Sequence, residues 1–115
     1  MPYIRMATSK DLTMAQKEEF KSGLAEIIGL IPGKTEAALM VEVDDGLTMF
    51  FQGEKRDLAY LDAKFSGDTE FEHKKQFTEA VCALTQKVCT LPQDAVYLTY
   101  SVFSEWGTGG TLKAR

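Results

Sequence analysis

Met1-Pro2-Tyr3-Ile4-Arg5-Met6-Ala7-Thr8, followed closely by Thr13-Met14-Ala15-Gln16, decides the fold. Pro2 to Thr8 alternates like a strand with one buried face. Thr13 with Gln16 three residues on is a capping-box pattern. Phe20, Leu24, Ile27, Ile28 and Ile31 then recur at helical spacing, and Pro32-Gly33 stops the helix. From Ala38 to Val43, Leu39, Val41 and Val43 alternate with Met40 and Glu42, which reads as a returning strand. Asp44-Asp45-Gly46 is a turn, and Thr48 to Gln52 a short strand after it.

The second half repeats the scheme. Leu58 to Phe65 reads as a strand and ends at Ser66-Gly67-Asp68. Thr69-Glu70-Phe71-Glu72 has the capping-box pattern again, and Phe77, Val81, Leu84 and Val88 share one helical face. Leu91-Pro92-Gln93-Asp94 breaks that helix and leads into Ala95 to Phe103, the longest strand signal in the chain. In this last strand Val96, Leu98, Tyr100 and Val102 are placed to pack on the helices, with Tyr97, Thr99 and Ser101 on the other face. Two tandem β-α-β units predict an α+β domain spanning residues 1–115, a four-stranded mixed sheet with two helices on one face. The other sheet face is left open, and in so short a chain another subunit is what can cover it.

The formal net charge of −4 and the lack of a concentrated Lys/Arg face argue against a nucleic-acid partner. Nothing resembles the run of roughly 18 apolar residues that spans a bilayer, and the N-terminus lacks the basic-then-apolar pattern of a secretory signal. A cytoplasmic protein without membrane contact is expected. Cys82 and Cys89 lie two helical turns apart, about 10 Å, too far for a mutual disulfide, and read as reduced core thiols. His73 is the only histidine and no cysteine pair has metal-ligand spacing, so no metal site is expected. His73 itself reads as part of a solvated helix face.

Pro2 is the candidate for chemistry. A small second residue favours removal of Met1, and a free N-terminal proline is a secondary amine able to act as a general base or nucleophile near neutral pH.

Four ordered stretches resemble the tautomerase superfamily, and within it the macrophage migration inhibitory factor group. They are Pro2 with its strand; Gly33-Lys34-Thr35-Glu36 before Leu39-Met40-Val41-Glu42-Val43; Leu91-Pro92-Gln93-Asp94-Ala95-Val96-Tyr97-Leu98-Thr99-Tyr100; and Glu105-Trp106-Gly107-Thr108-Gly109-Gly110-Thr111. The resemblance implies a homotrimer with a pocket at each subunit interface, needing no metal or organic cofactor. It implies a keto–enol tautomerase of small α-keto acids such as phenylpyruvate, and it leaves open secretion by a non-classical route beside the cytoplasmic location expected above. Pro2 would be the catalytic base and Lys34 the cation facing a carboxylate or enolate. Tyr97 would be a wall from the neighbouring subunit, beside Thr99, and Trp106 would stand near the rim. Burial and the Lys34 charge would both lower the proline pKa from the ordinary α-amino range of about 7.7–8.0.

The chain also departs from the family pattern. Thr99 stands where the family has asparagine. Ser66 stands where it has an apolar residue, a space that Phe65 could fill. Leu58 and Leu61 replace the Cys-x-x-Cys of the mammalian proteins, so a thiol oxidoreductase role does not carry over.

Plainer roles fit the same residues. Lys34 after a helix stop suits a charge near a helix C-terminus, Tyr97 a packed interface aromatic, and Trp106 an anchor for the tail. Two other functions fit the scaffold. One is a non-catalytic binding or signalling protein that keeps the pocket. The other is a dehalogenase or decarboxylase, which would want arginines in the site. Of Arg5, Arg56 and Arg115, alternation turns Arg5 to the face opposite Pro2.

Overall fold

The structure is a computed structural model and describes residues 1–114, so Arg115 lies outside the described residues. Its main sheet joins β1 (Pro2–Thr8), β2 (Met40–Asp44), β5 (Ala59–Ser66) and β6 (Val96–Phe103) in the order β2-β1-β5-β6. β1 runs parallel to β2 and antiparallel to β5, and β5 runs parallel to β6. The sheet is therefore mixed. Helices α1 (Met14–Ile27) and α2 (Phe71–Cys89) supply the apolar cover.

Alternation in the strands fixes the covered face. Ile4, Met6 and Thr8 of β1 are buried, as are Ala59, Leu61, Ala63 and Phe65 of β5. All of these except Thr8 meet Phe20 and Leu24 of α1 and Phe77, Val81 and Val88 of α2 in one core. Cys89 is buried with its Sγ 3.5 Å from Met6 Sδ, and Cys82 is half-buried. Both are free thiols, and burial raises both thiol pKa values.

The Thr13 capping box forms as the sequence predicts. Thr13 Oγ1 accepts from Gln16 N at 3.1 Å, and Gln16 Oε1 accepts from Thr13 N at 2.8 Å. Thr13→Ala is expected to lower stability by about 1 kcal/mol, read as a lower urea midpoint at unchanged slope.

The second box does not form. Glu70 takes the N-cap of α2 with no side-chain cap bond. Thr69 Oγ1 lies 2.9 Å from His73 Nδ1, and Asp68 Oδ1 accepts from Thr69 N at 2.7 Å. His73 is thus half-buried and hydrogen-bonded rather than fully solvated.

Other boundaries also shift. Glu36–Ala38 is a 3₁₀ turn, so the second main strand begins at Met40 rather than Ala38. The short strand placed at Thr48–Gln52 is β3 (Phe50–Phe51), paired with β4 (Glu54–Lys55). Gln52 and Gly53 between them both have positive φ, 55° and 78°, as a type I′ turn requires. Val102 is 38% exposed instead of packing on the helices; it lies near the end of β6, the edge strand of the sheet. A C-terminal hairpin of β7 (Glu105–Thr108) and β8 (Thr111–Ala114) turns through Gly109 and Gly110, at φ 57° and 83°.

The open sheet face is polar. Arg5 bonds Asp44 Oδ2 at 2.6 Å and Glu42 Oε1 at 3.2 Å. Lys64 pairs with Asp62 at 2.6 Å, and the Tyr60 and Thr99 hydroxyls are 2.7 Å apart. Among the described residues no helix is long and apolar enough to cross a membrane.

Candidate functional site

The antiparallel register of β1 and β5 sets Pro2 opposite Phe65 at one end of the sheet, with Val102 of β6 in the same row. Pro2 is buried, Phe65 is 1% exposed and Ser66 is 5% exposed. Lys34 arrives from the loop after α1, its backbone N bonded to Ile31 O at 3.1 Å. Its side chain turns inward, 9% exposed, and Nζ donates to Ser66 O at 2.6 Å while standing 6.0 Å from the Phe65 ring centroid. A helix-terminal charge would point to the end of α1; Lys34 reaches the end of β5 instead. The same Ser66 residue donates its N–H to Met1 O at 3.2 Å. One residue thus touches both the cation and the residue bonded to Pro2.

The C-terminal hairpin closes the end of the sheet. Trp106 packs edge-on against Phe103 at 6.0 Å and, with Gly107 and Thr108, borders a cleft of about 400 Å³ shared with Met1, Pro2, Tyr3, Met40 and Lys64. A second cleft of about 420 Å³ has Met1, Ala38, Ser66, Trp106, Thr108 and Lys113 in its wall. Met1, Trp106 and Thr108 border both clefts. Pro2, Lys34, Phe65, Ser66 and Trp106 therefore gather at this end within one protomer.

Tyr97 and Thr99 do not join them. Tyr97 pairs in register with Tyr60, five positions along β6 from the Val102 row, roughly 16 Å from Pro2's end of the sheet. Its ring lies 5.3 Å from Phe51 and its hydroxyl donates to Asp94 O at 3.0 Å, while 38% of its surface stays exposed. Thr99 faces Tyr60 on the open sheet face.

Neither nearby tyrosine is a base near neutral pH. Tyr3 donates to Glu42 Oε1, and that bond raises its pKa above the ordinary phenol value. Tyr100 packs on Phe65 and Phe77, and burial pushes its hydroxyl up to about 12. Among the described residues no group of three His, Cys, Asp or Glu is placed to hold a metal ion.

Comparison with known families decides the kinship. The sequence pattern of the family described as macrophage migration inhibitory factor matches residues 1–112. The chain belongs to the macrophage migration inhibitory factor family. None of the curated protein sequences matches it. Solved structures share the fold. MIF2 of Leishmania major is 24% identical with a TM-score of 0.90, over 98% of this chain and 97% of that one. The migration inhibitory factor-like protein of Entamoeba histolytica is 19% identical with a TM-score of 0.84, over 97% and 98%. A third protein, in a structure inactivated by 2-oxo-3-pentynoate, is 14% identical with a TM-score of 0.83, over 94% and 92%.

Within this migration inhibitory factor fold, sequence reasoning missed Met40, Thr108 and Lys113 as neighbours of the N-terminus. The Gly109-Gly110 pair was the available signal. A two-residue glycine turn folds Lys113 back beside Trp106, its register partner.

Proposed function

We propose that the chain, once Met1 is removed, is a homotrimeric, cofactor-free keto–enol tautomerase of small 2-oxo acids such as phenylpyruvate, with Pro2 as its base. The observation that carries this reading is the Ser66 bridge, which ties the Lys34 ammonium to the residue preceding Pro2. In the reaction the neutral Pro2 amine takes a proton from the carbon next to the carbonyl. The electron pair of that C–H bond moves into the enolate, whose negative charge Lys34 offsets. The proline ammonium then returns the proton to the enolate oxygen, and the enol leaves; the reverse direction uses the same groups. The Met1 carbonyl oxygen, 3.2 Å from Ser66 N, marks where a substrate oxygen would accept the same hydrogen bond.

Trimer assembly would bring Tyr97 and Thr99 of a neighbouring copy to this end, from an open face that already presents them. The two free thiols support action in the reducing cytoplasm. A dehalogenase or decarboxylase is less well supported. Arg5 is engaged by Glu42 and Asp44 on the opposite face, and Arg56 by Glu54 away from the site.

Inactivation of a family-fold protein by 2-oxo-3-pentynoate supplies the test. That reagent is a 2-oxo acid with a conjugated triple bond. A neutral Pro2 amine would add to the alkyne carbon remote from the carbonyl, forming one N–C bond while the triple bond becomes double. The amine proton passes to the adjacent carbon and nothing is expelled. Met1-free protein is expected to gain one reagent mass on its N-terminal peptide and to lose phenylpyruvate turnover in step. Turnover that is absent before treatment, or a label elsewhere, would overturn the reading in favour of a non-catalytic binding protein.

A further inference from the structure

We propose that Lys64 selects the substrate of this site by binding its carboxylate; this rests on the tautomerase reading above. The sheet register places the residue. β1 and β5 pair with Tyr3 opposite Lys64 and Pro2 opposite Phe65, so Lys64 stands one row from Pro2 on the adjacent strand. Strand spacing and rise put the two α-carbons about 6 Å apart. Both residues border the cleft of about 400 Å³, and among the described residues around it Lys64 alone has a charged side chain. Much of the remaining wall is apolar, with Met40, Trp106 and the ring of Tyr3.

Two contacts hold Lys64 in place. Its Nζ donates to Asp62 Oδ2 at 2.6 Å and lies 5.9 Å from the centroid of the Tyr3 ring, itself part of the cleft wall. Asp62 does not border the cleft, so the pair presents its cationic end there. An ammonium has three donors, and Asp62 takes one of them. The two side chains are 37% and 31% exposed, so water weakens the internal pair and a ligand carboxylate can share the cation. Lys34 serves a different atom. It is buried, donates to Ser66 O and borders neither cleft. Met1 borders both, so its removal opens Pro2 and Lys64 on one side to Ser66 on the other. A 2-oxo acid carries a carbonyl and a carboxylate on adjacent carbons. With the carbonyl toward Ser66 and Lys34, the carboxylate is left to Lys64 and the apolar chain to Met40 and Trp106.

Trp106 is the only tryptophan and borders the same cleft, so its fluorescence reads occupancy without turnover. The probes are 2-oxohexanoate and its methyl ester, which share the 2-oxo group and the alkyl chain and differ in charge. Titrated into Met1-free protein at low salt, the acid is expected to bind about tenfold more tightly than the ester. Lys64→Met and Lys64→Gln should each bring the two affinities within about twofold, and Lys64→Arg should keep most of the preference. Asp62→Asn should enlarge it by removing the competing carboxylate, and added salt should shrink it. Equal binding of acid and ester by the wild-type protein would overturn the proposal, as would a preference that survives loss of the Lys64 charge. The two readings fail separately. A Lys64-dependent preference without tautomerase turnover removes the enzyme and keeps the carboxylate site. Phenylpyruvate turnover without that preference does the reverse.

Discussion

Protein that retains Met1 is expected to turn over phenylpyruvate at no more than background, and to gain activity when an aminopeptidase removes that residue from the same sample. In the Met1–Pro2 bond the proline nitrogen is an amide. Its lone pair is delocalised into the carbonyl, and it neither binds nor releases a proton near neutral pH. Excision converts it into a secondary amine, whose pKa burial and the Lys34 charge would hold below the ordinary α-amino range of about 7.7–8.0. General-base catalysis by a positioned group contributes about 10²- to 10⁴-fold, and retention forfeits all of that. Met1 also fills space, because it borders both clefts and its carbonyl occupies the Ser66 N–H. Two losses therefore coincide, of base and of substrate volume. A pH profile separates them. With Met1 removed, kcat/KM should fall as pH drops through the amine pKa, because protonation consumes the lone pair. Comparable turnover with and without Met1, on samples verified by intact mass, would remove Pro2 from the mechanism.

The sequence displayed some of this site openly and hid the rest for definable reasons. Strand β1 was readable because Ile4, Met6 and Thr8, each buried, alternate with the half-buried Tyr3, Arg5 and Ala7. The Thr13 box was readable because both of its hydrogen bonds are local. The Thr69 box has the same pattern and failed, since Asp68 and His73 compete for Thr69's backbone and hydroxyl. Nothing in the four-residue spacing registers that competition. Lys34 was legible as a charge after a helix stop, but its inward turn depends on Ser66, 32 positions later in the chain. Lys113 was hidden because β8 is exposed throughout, so no hydrophobic period marks it as a strand. Tyr97 and Thr99 belong to a different class. Their position on the open face follows from alternation, yet what they meet there depends on a second copy of the chain. The polarity of that face is a further finding. The five residues of the Arg5–Glu42–Asp44 and Asp62–Lys64 groups make it a charged surface, so a subunit lying on it must supply polar partners or leave room for water.

Lys34→Met should lower kcat/KM for phenylpyruvate by about 10²- to 10³-fold while moving the stability by no more than about 1 kcal/mol. The substitution keeps an unbranched side chain of similar length and removes the charge. Its catalytic cost follows from position. The ammonium lies at the end of β5 beside Pro2's partner Phe65, and it is 9% exposed, so water contributes little to screening what it faces. Negative charge that develops on an enolate there loses its principal counter-charge in the variant. The small stability cost follows from two opposing terms. The 2.6 Å bond to Ser66 O is lost, which destabilises, but the desolvation penalty of a buried ammonium is lost with it. A purely structural lysine predicts the inverse pattern, a lower urea midpoint with unchanged turnover per folded molecule. Measuring kcat/KM and the urea midpoint on one preparation therefore separates the two roles. If kcat/KM stays within about threefold of the parent, the cation facing the substrate is not Lys34, and Lys64 and Lys113, which border the two clefts at this end of the sheet, become the residues to replace.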